Sequence, residues 1–354
     1  MAPEDSKGAW DEIQQLTPLR TKLHVPPLRA GWISRPRLDK RMDEGFARKL
    51  TLISAPAGFG KTTLTVEWAH THKIPVAWFS VDNGDNDPLY FLTYVILGLQ
   101  TLEAGIGKAA LAMLQSPQPP PFESILINLL NDVTRIPIDM ALVLDDYHLV
   151  DAGSIHDLIA FLLENLPQQL HIVIATRSDP PLPLLARLRS QNQLTELRAA
   201  DLSFSADETA SLFNESLNLH LPARDIQMLE TRTEGWIAGL QLAALSLQGH
   251  KNPSSFIKAF KGDNRYIADY LLEEVLNRQP EHLRDFLLQT SILERLSGSL
   301  CDTVTDQENG RQMLNTLEKA NLFVVPLDDD RCWYRYHHLF ADLLEQRLRL
   351  IQTD

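Results

Sequence analysis

The chain has 354 residues, 44% hydrophobic and 22% charged, enough apolar material for two or three cores of ordinary domain size. Its 46 acidic residues outnumber 33 basic ones, and the net charge of -13 has the wrong sign for a surface built mainly to hold nucleic acid. No stretch approaches the length of an apolar membrane span and the N-terminal MAPEDSKGAWDEIQQL has no apolar signal core, so the expectation is a cytoplasmic protein without membrane contact. Cys301 and Cys332 have neither metal-ligand spacing nor the density of a disulfide scaffold and read as reduced thiols.

From Leu50 to about Leu202 short apolar runs predict strands at 50–56, 76–82, 140–146, 171–177 and 195–202. Helical stretches lie between most of them, among them PLYFLTYVILGLQTL, opened by Asp87 as N-cap and Pro88 in the first turn. Continuous apolar strands with helical crossovers imply an α/β fold whose parallel sheet is covered on both faces. QSPQPPPFES interrupts this pattern as a surface loop. After Leu202 the strand signal fades: Ser205 and Glu208 form a capping box, and helices are expected through LPARDIQMLETRT, GWIAGLQLAALSLQ, NRYIADYLLEEVLNR and EHLRDFLLQTS. From about Ile292 the pattern becomes helix, helix and a hairpin NLFVVPL…CWYRYHH with DDDR at its turn, the outline of a winged helix.

The first strand runs into SAPAGFGKTTL, which follows the phosphate-loop pattern except that Ala55 stands at its first glycine. The strand-loop-helix setting is the one a P-loop NTPase requires. Gly58, Phe59 and Gly60 supply the loop backbone, and the helix start Lys61-Thr62-Thr63 presents N–H groups to phosphates. Lys61 reaches the β and γ positions and the Thr62 hydroxyl ligates Mg²⁺ of a bound ATP or ADP. A metal carboxylate is then needed at the end of a neighbouring strand, and ALVLDDYHLV provides it: Asp145 for the metal, Asp146 to position or deprotonate the attacking water. Arg177, at the end of the next strand, is either a γ-phosphate sensor or a surface cation. DNGDND at 82–87 resembles a calcium loop but lacks glycine at its sixth position and places Thr93 at its twelfth. The adjacent His337 and His338 have no further ligand at zinc spacing and read as a strand-to-helix corner.

Taken in order, TKLHVPPLRAGWISRPRL, SAPAGFGKTTL, WFSVDNGDNDPLYFLTYV, LVLDDYHLV, ATRSDPPLPLLARLR, LSFSADE, TEGWIAGLQLAALSL and RYHHLFADLLEQRL resemble the N-terminal ATPase module of MalT-type transcription regulators, in the STAND class of signalling P-loop NTPases. The resemblance implies an N-terminal extension over 1–20, a nucleotide-binding domain over 21–203, a helical domain over 204–291 and a winged-helix domain over 292–354. It also implies a switch: closed on ADP at rest, self-associating as a homo-oligomer with ATP, and reset by slow Mg²⁺-dependent hydrolysis. Lys61, Thr62, Asp145 and Arg177 match the family's loop, carboxylate and sensor positions. Ile33 and Arg35, within Gly31-Trp32-Ile33-Ser34-Arg35, resemble the lead-in that lines the adenine pocket. Gly239-Leu240-Gln241-Leu242 resembles the family's G-L-P-L motif with Gln241 in place of proline. Tyr336-His337-His338-Leu339 resembles M-H-D-L, putting His337 at the ADP β-phosphate and His338 in place of aspartate. The family's sensor, through which an inducer or regulatory protein acts, and its C-terminal DNA-binding domain do not fit after Leu348, so direct DNA binding is not expected of this segment. Two other readings stand beside the switch: a nucleotide-locked scaffold without turnover, and a DNA-dependent AAA-type ATPase, for which the helix QENGRQMLNTLEKAN is poorly charged.

Overall fold

A computed structural model describes residues 18–28, 31–72, 74–247 and 252–353, and in it the chain divides into two compact units. Among the described residues, the first comprises 18–28, Pro36–Ser54 and the span from Lys61 to Leu197; the second comprises 31–35, Ala55–Gly60 and the span from Arg198 to Thr353.

The first unit is built in the order α1 (Pro36–Phe46), β1 (Leu50–Ser54), α2 (Lys61–Thr71), β2 (Val76–Ser80), α3 (Pro88–Gln100), α4 (Lys108–Leu114), α5 (Phe122–Val133), β3 (Met140–Asp145), α6 (Gly153–Glu164), β4 (Leu170–Thr176), α7 (Leu185–Ser190) and β5 (Leu194–Arg198). The strands form a five-stranded sheet in the order β2-β3-β4-β1-β5, and the registered pairs β2–β3, β3–β4 and β4–β1 are all parallel. Every residue of β1, β3 and β4 is buried, which is why these segments are mostly apolar and do not alternate, with Thr51 and His171 among the polar exceptions, joined to each other at 3.0 Å. Asp87 caps α3 as expected, accepting from the N–H groups of Leu89 and Tyr90 at 2.8 and 3.2 Å.

The fifth strand is shorter than the pattern predicts. Ala199–Leu202, expected as strand, is a helical turn, α8, because the Asp201 carboxylate accepts the Arg198 N–H at 2.8 Å and closes the chain on itself. The second unit continues with α9 (Ala206–Ala210), opened by the Ser205–Glu208 capping box and prolonged by a π-helical stretch over Ser211–Ser216. Then come α10 (Ala223–Thr233), α11 (Ile237–Leu247), α12 (Pro253–Ala259), α13 (Arg265–Glu274) and α14 (Glu281–Thr290). The chain ends with α15 (Gly298–Thr305), α16 (Gly310–Lys319), the antiparallel hairpin β6 (Val324–Pro326) and β7 (Tyr334–Tyr336), and α17 (His338–Thr353), the helix-helix-wing outline expected from the sequence.

Candidate functional site

In the first unit the sheet order sets the chemistry. β4 lies between β1, which leads into the phosphate loop, and β3, which carries the carboxylates. Ser54 pairs with Thr176, so Arg177 follows directly at the C-terminal edge between those two strands. Lys61 and Thr62 open α2, and the Thr62 hydroxyl donates to the Asp145 carboxylate at 3.0 Å. This is the pair that would share a divalent cation. Lys61 is buried, and burial together with the Arg177 guanidinium pushes its ammonium down to about 8, against the pull of Asp146 and Asp145. Burial and the charge of Asp146 push Asp145 up to about 7. Asp146 is half exposed in a left-handed conformation, φ 56°, which an aspartate tolerates. The Ser54 hydroxyl donates to Asp179 at 2.7 Å, a contact the sequence did not single out.

The loop Ala55–Gly60 belongs to the second unit. Gly58 and Gly60 sit at φ 79° and 74°, where glycine is required, whereas Ala55 is not among the left-handed residues. The alanine at the first motif position therefore carries no backbone strain. The N–H groups of Gly58, Phe59 and Gly60 meet no acceptor among the described residues. Successive donors of this kind fit an anion. The Phe59 ring packs 6.1 Å from Phe323, which lies 5.5 Å from His337 and 5.3 Å from Trp236.

His337 is buried, and its Nε2–H donates to the Thr233 carbonyl at 2.9 Å. Its other ring nitrogen, Nδ1, is buried without a partner; because Nε2 holds the proton of the neutral ring, Nδ1 donates only when the ring gains a second proton. Burial pushes the imidazole below its ordinary value, while Glu234 and the Thr233 carbonyl pull the other way. Glu234, a residue not singled out from sequence, takes the Arg335 guanidinium through two bonds of 2.8 and 2.7 Å and accepts the His338 N–H at 3.0 Å. It thereby places a carboxylate on the first N–H of α17. Burial opposes this charge, but Arg335, His337 and the His338 N–H hold Glu234 down at about 2.

Arg35 is buried, donates to the Leu202 carbonyl at 3.0 Å and lies over the Phe204 ring. Its Nη2 stands 3.6 Å from where a Cβ on Gly60 would be. Ile33 is half-buried and follows Gly31, whose carbonyl accepts from Ser216 at 2.9 Å. A Cβ on Gly239 would come within 2.6 Å of the Trp236 ring, and Gln241 is exposed. Thr63 is exposed on α2. The acidic loop at 82–87 is closed by protein: Lys22 Nζ reaches both Asp82 and Asp85 at 2.8 Å.

The sheet order and the Thr62–Asp145 pair define a P-loop NTPase fold of the Walker type, which implies nucleotide binding. The chain is similar to a Walker-type ATPase of Pyrococcus abyssi, with a TM-score of 0.63 at 14% identity, over 92% of this chain and 100% of that one. Residues 272–354 match the MalT winged helix domain. Over 329 residues, 92% of its length, the chain is 35% identical to the HTH-type transcriptional regulator MalT of Klebsiella pneumoniae, of which it covers 36%. Over 319 residues, 89% of its length, it is 34% identical to the serine/threonine-protein kinase PknK of Mycobacterium tuberculosis, of which it covers 29%. The chain is homologous to MalT and PknK and carries a MalT winged helix, and it spans about a third of the length of these relatives. Among the described residues no helix is long and apolar enough to cross a membrane.

Proposed function

We propose that the chain is an ATP/ADP-binding switch of the STAND type within a MalT-like transcription regulator, holding ADP at rest, self-associating with ATP, and reset by slow hydrolysis. The observation that carries this is the buried Lys61 ammonium beside the Arg177 guanidinium, with Thr62 and Asp145 joined at 3.0 Å. A buried ammonium whose charge is disfavoured by burial and by a neighbouring guanidinium is stabilised by a polyanion. Lys61 then neutralises the β- and γ-phosphates, and Arg177 contacts the γ-phosphate that distinguishes ATP from ADP. Thr62 and Asp145 hold Mg²⁺, and Asp146 orients water. Bound Mg²⁺ would supply charge neutralisation on the phosphate oxygens. Ile33 and Arg35 stand on the adenine side with Gly239 and Gln241, and His337 donates to the β-phosphate. The signalling roles in the names of MalT and PknK support a regulatory reading. In this reading an inducer or regulatory protein acts through parts of the whole protein beyond this chain, and this segment makes no DNA contact of its own.

The test is to denature the purified protein, identify the released nucleotide by chromatography, and follow phosphate release from added ATP. Retained ADP with slow phosphate release is the expected result. Retained ADP with no phosphate release would make the chain a nucleotide-locked scaffold. Neither retained nucleotide nor ATP binding on titration would remove both readings.

A further inference from the structure

The back of the phosphate loop is held by one short segment at the start of α11. The Trp236 indole N–H donates to the Ala57 carbonyl at 3.0 Å, and the Ala238 N–H donates to the Gly58 carbonyl at 3.0 Å. The approach is close enough to dictate residue type. A Cβ on Gly58 would lie 2.6 Å from the Ala238 Cβ and 2.7 Å from Trp236 Nε1, and one on Gly60 would lie 2.8 Å from Ile237 Cδ1. Trp236 itself is fully buried, wedged between Tyr270, Phe323 and His337 at ring distances of 5.5, 5.3 and 6.0 Å, and it fills the space above Gly239.

These bonds have a consequence for the other face of the loop. The described chain has no cis peptide bond, and in a planar trans peptide the C=O of one residue and the N–H of the next point in opposite directions. Fixing the carbonyls of Ala57 and Gly58 on Trp236 and Ala238 therefore turns the N–H groups of Gly58 and Phe59 away from that segment. Those two donors are among the ones that meet no acceptor in the described residues. A glycine-rich loop left to itself would sample other peptide orientations, each costing affinity for an anion that needs several donors at once.

We propose that Trp236, aided by the Ala238 N–H, is a positioning residue that sets the peptide planes of the phosphate loop for phosphate binding. This rests on the nucleotide-binding reading above. It also assigns the segment TEGWIAGL a place at the loop backbone, so that any shift of α11 would reach the phosphate donors directly.

The experiment uses the full chain and calorimetric titration with ADP and with inorganic pyrophosphate, which shares the phosphates and lacks the base. Trp236→Phe keeps an aromatic ring in the cluster and removes the donor. Loss of one net hydrogen bond, together with a less ordered loop, is expected to weaken ADP and pyrophosphate by the same factor, on the order of 5- to 20-fold. Phe340→Leu loosens the same aromatic cluster at Phe323, 5.5 Å away, without touching the loop. It should lower the melting temperature and leave both affinities unchanged. If Trp236→Phe binds both ligands as the parent does, or if Phe340→Leu weakens them equally, the positioning role is overturned. If the parent binds neither ADP nor pyrophosphate, it is the nucleotide-binding reading that fails.

Discussion

His337 offers a perturbation whose size and sign both follow from its surroundings. Its Nε2–H is committed to the Thr233 carbonyl at 2.9 Å, so Nδ1 can donate to a phosphate only if the ring carries a second proton. Without ligand, burial keeps the ring below its ordinary value and therefore neutral near pH 7, with Nδ1 a bare lone pair that would repel a phosphate oxygen. If His337 holds the β-phosphate as proposed, ADP binding brings a proton onto the ring. A hydrogen bond of this charged kind is worth about 1.5–3 kcal/mol, or roughly 10- to 150-fold in ADP affinity and retention.

The pH dependence has a definite sign. The bound-state value is raised above the free-state value, so the contribution is fully present below the free-state value and is lost as pH rises through the bound-state one. ADP affinity should fall as pH rises from the lowered free-state value toward the bound-state one, by at most tenfold per unit for one proton. Titration calorimetry in buffers of different ionisation enthalpy counts the protons taken up. The nucleotide's own phosphate ionises with every variant, so the difference between parent and His337→Gln isolates the imidazole. Glutamine retains an N–H donor toward Thr233 and cannot carry the charge. His338→Ala, whose ring is exposed and faces Glu234, serves as control. Equal proton uptake and equal release of labelled ADP by parent and His337→Gln would refute the phosphate role.

Lys61→Ala should lose ATP and ADP binding while melting at the same or a higher temperature, because a buried ammonium held near 8 is a burden on the unliganded fold; differential scanning calorimetry beside a titration checks both. Asp145→Ala and Asp146→Ala should separate two functions, the first losing Mg²⁺-dependent tightening and the second retaining nucleotide while hydrolysing at least tenfold more slowly; phosphate release at saturating ATP decides. Glu234→Gln should destabilise the second unit by about 2 kcal/mol at pH 7. Because Glu234 is held at about 2, its contribution is present above the ordinary carboxylate range and fades as pH falls toward 2, so acid titration of parent and variant stability should converge there.

What could be read from sequence followed from how local its cause was. β1, β3 and β4 announce themselves because burial on both faces makes most of their residues apolar, and the loop Gly58 and Gly60 are legible because positive φ leaves few alternatives to glycine. Ala199–Leu202 reads as strand in the sequence because the signal that turns it, one carboxylate on one N–H, is weaker than the strand pattern of the residues that precede it. His337 stands in the sequence as half of an unremarkable His-His pair. Only resemblance singled it out, and its unpartnered Nδ1 gives that choice a physical basis. Trp236 and Glu234 could not be found at all by local pattern. Their partners, Ala57 and Arg335, lie 179 and 101 residues away, and in TEGW both Glu234 and Gly235 look like an ordinary helix stop. That stop is the point: left-handed conformations at 234 and 235 end one helix and start the next within three residues. The tight reversal places the Glu234 carboxylate on Arg335 and His338, the Thr233 carbonyl on His337, and the Trp236 indole on the phosphate loop. A substitution that relaxes the reversal, such as Gly235→Ala, whose Cβ would meet the Phe204 backbone at 2.5 Å, should therefore disturb all three together. Glu234→Gln should disturb the wing and leave the loop bond in place, so comparing the two variants separates the turn from the ion pair.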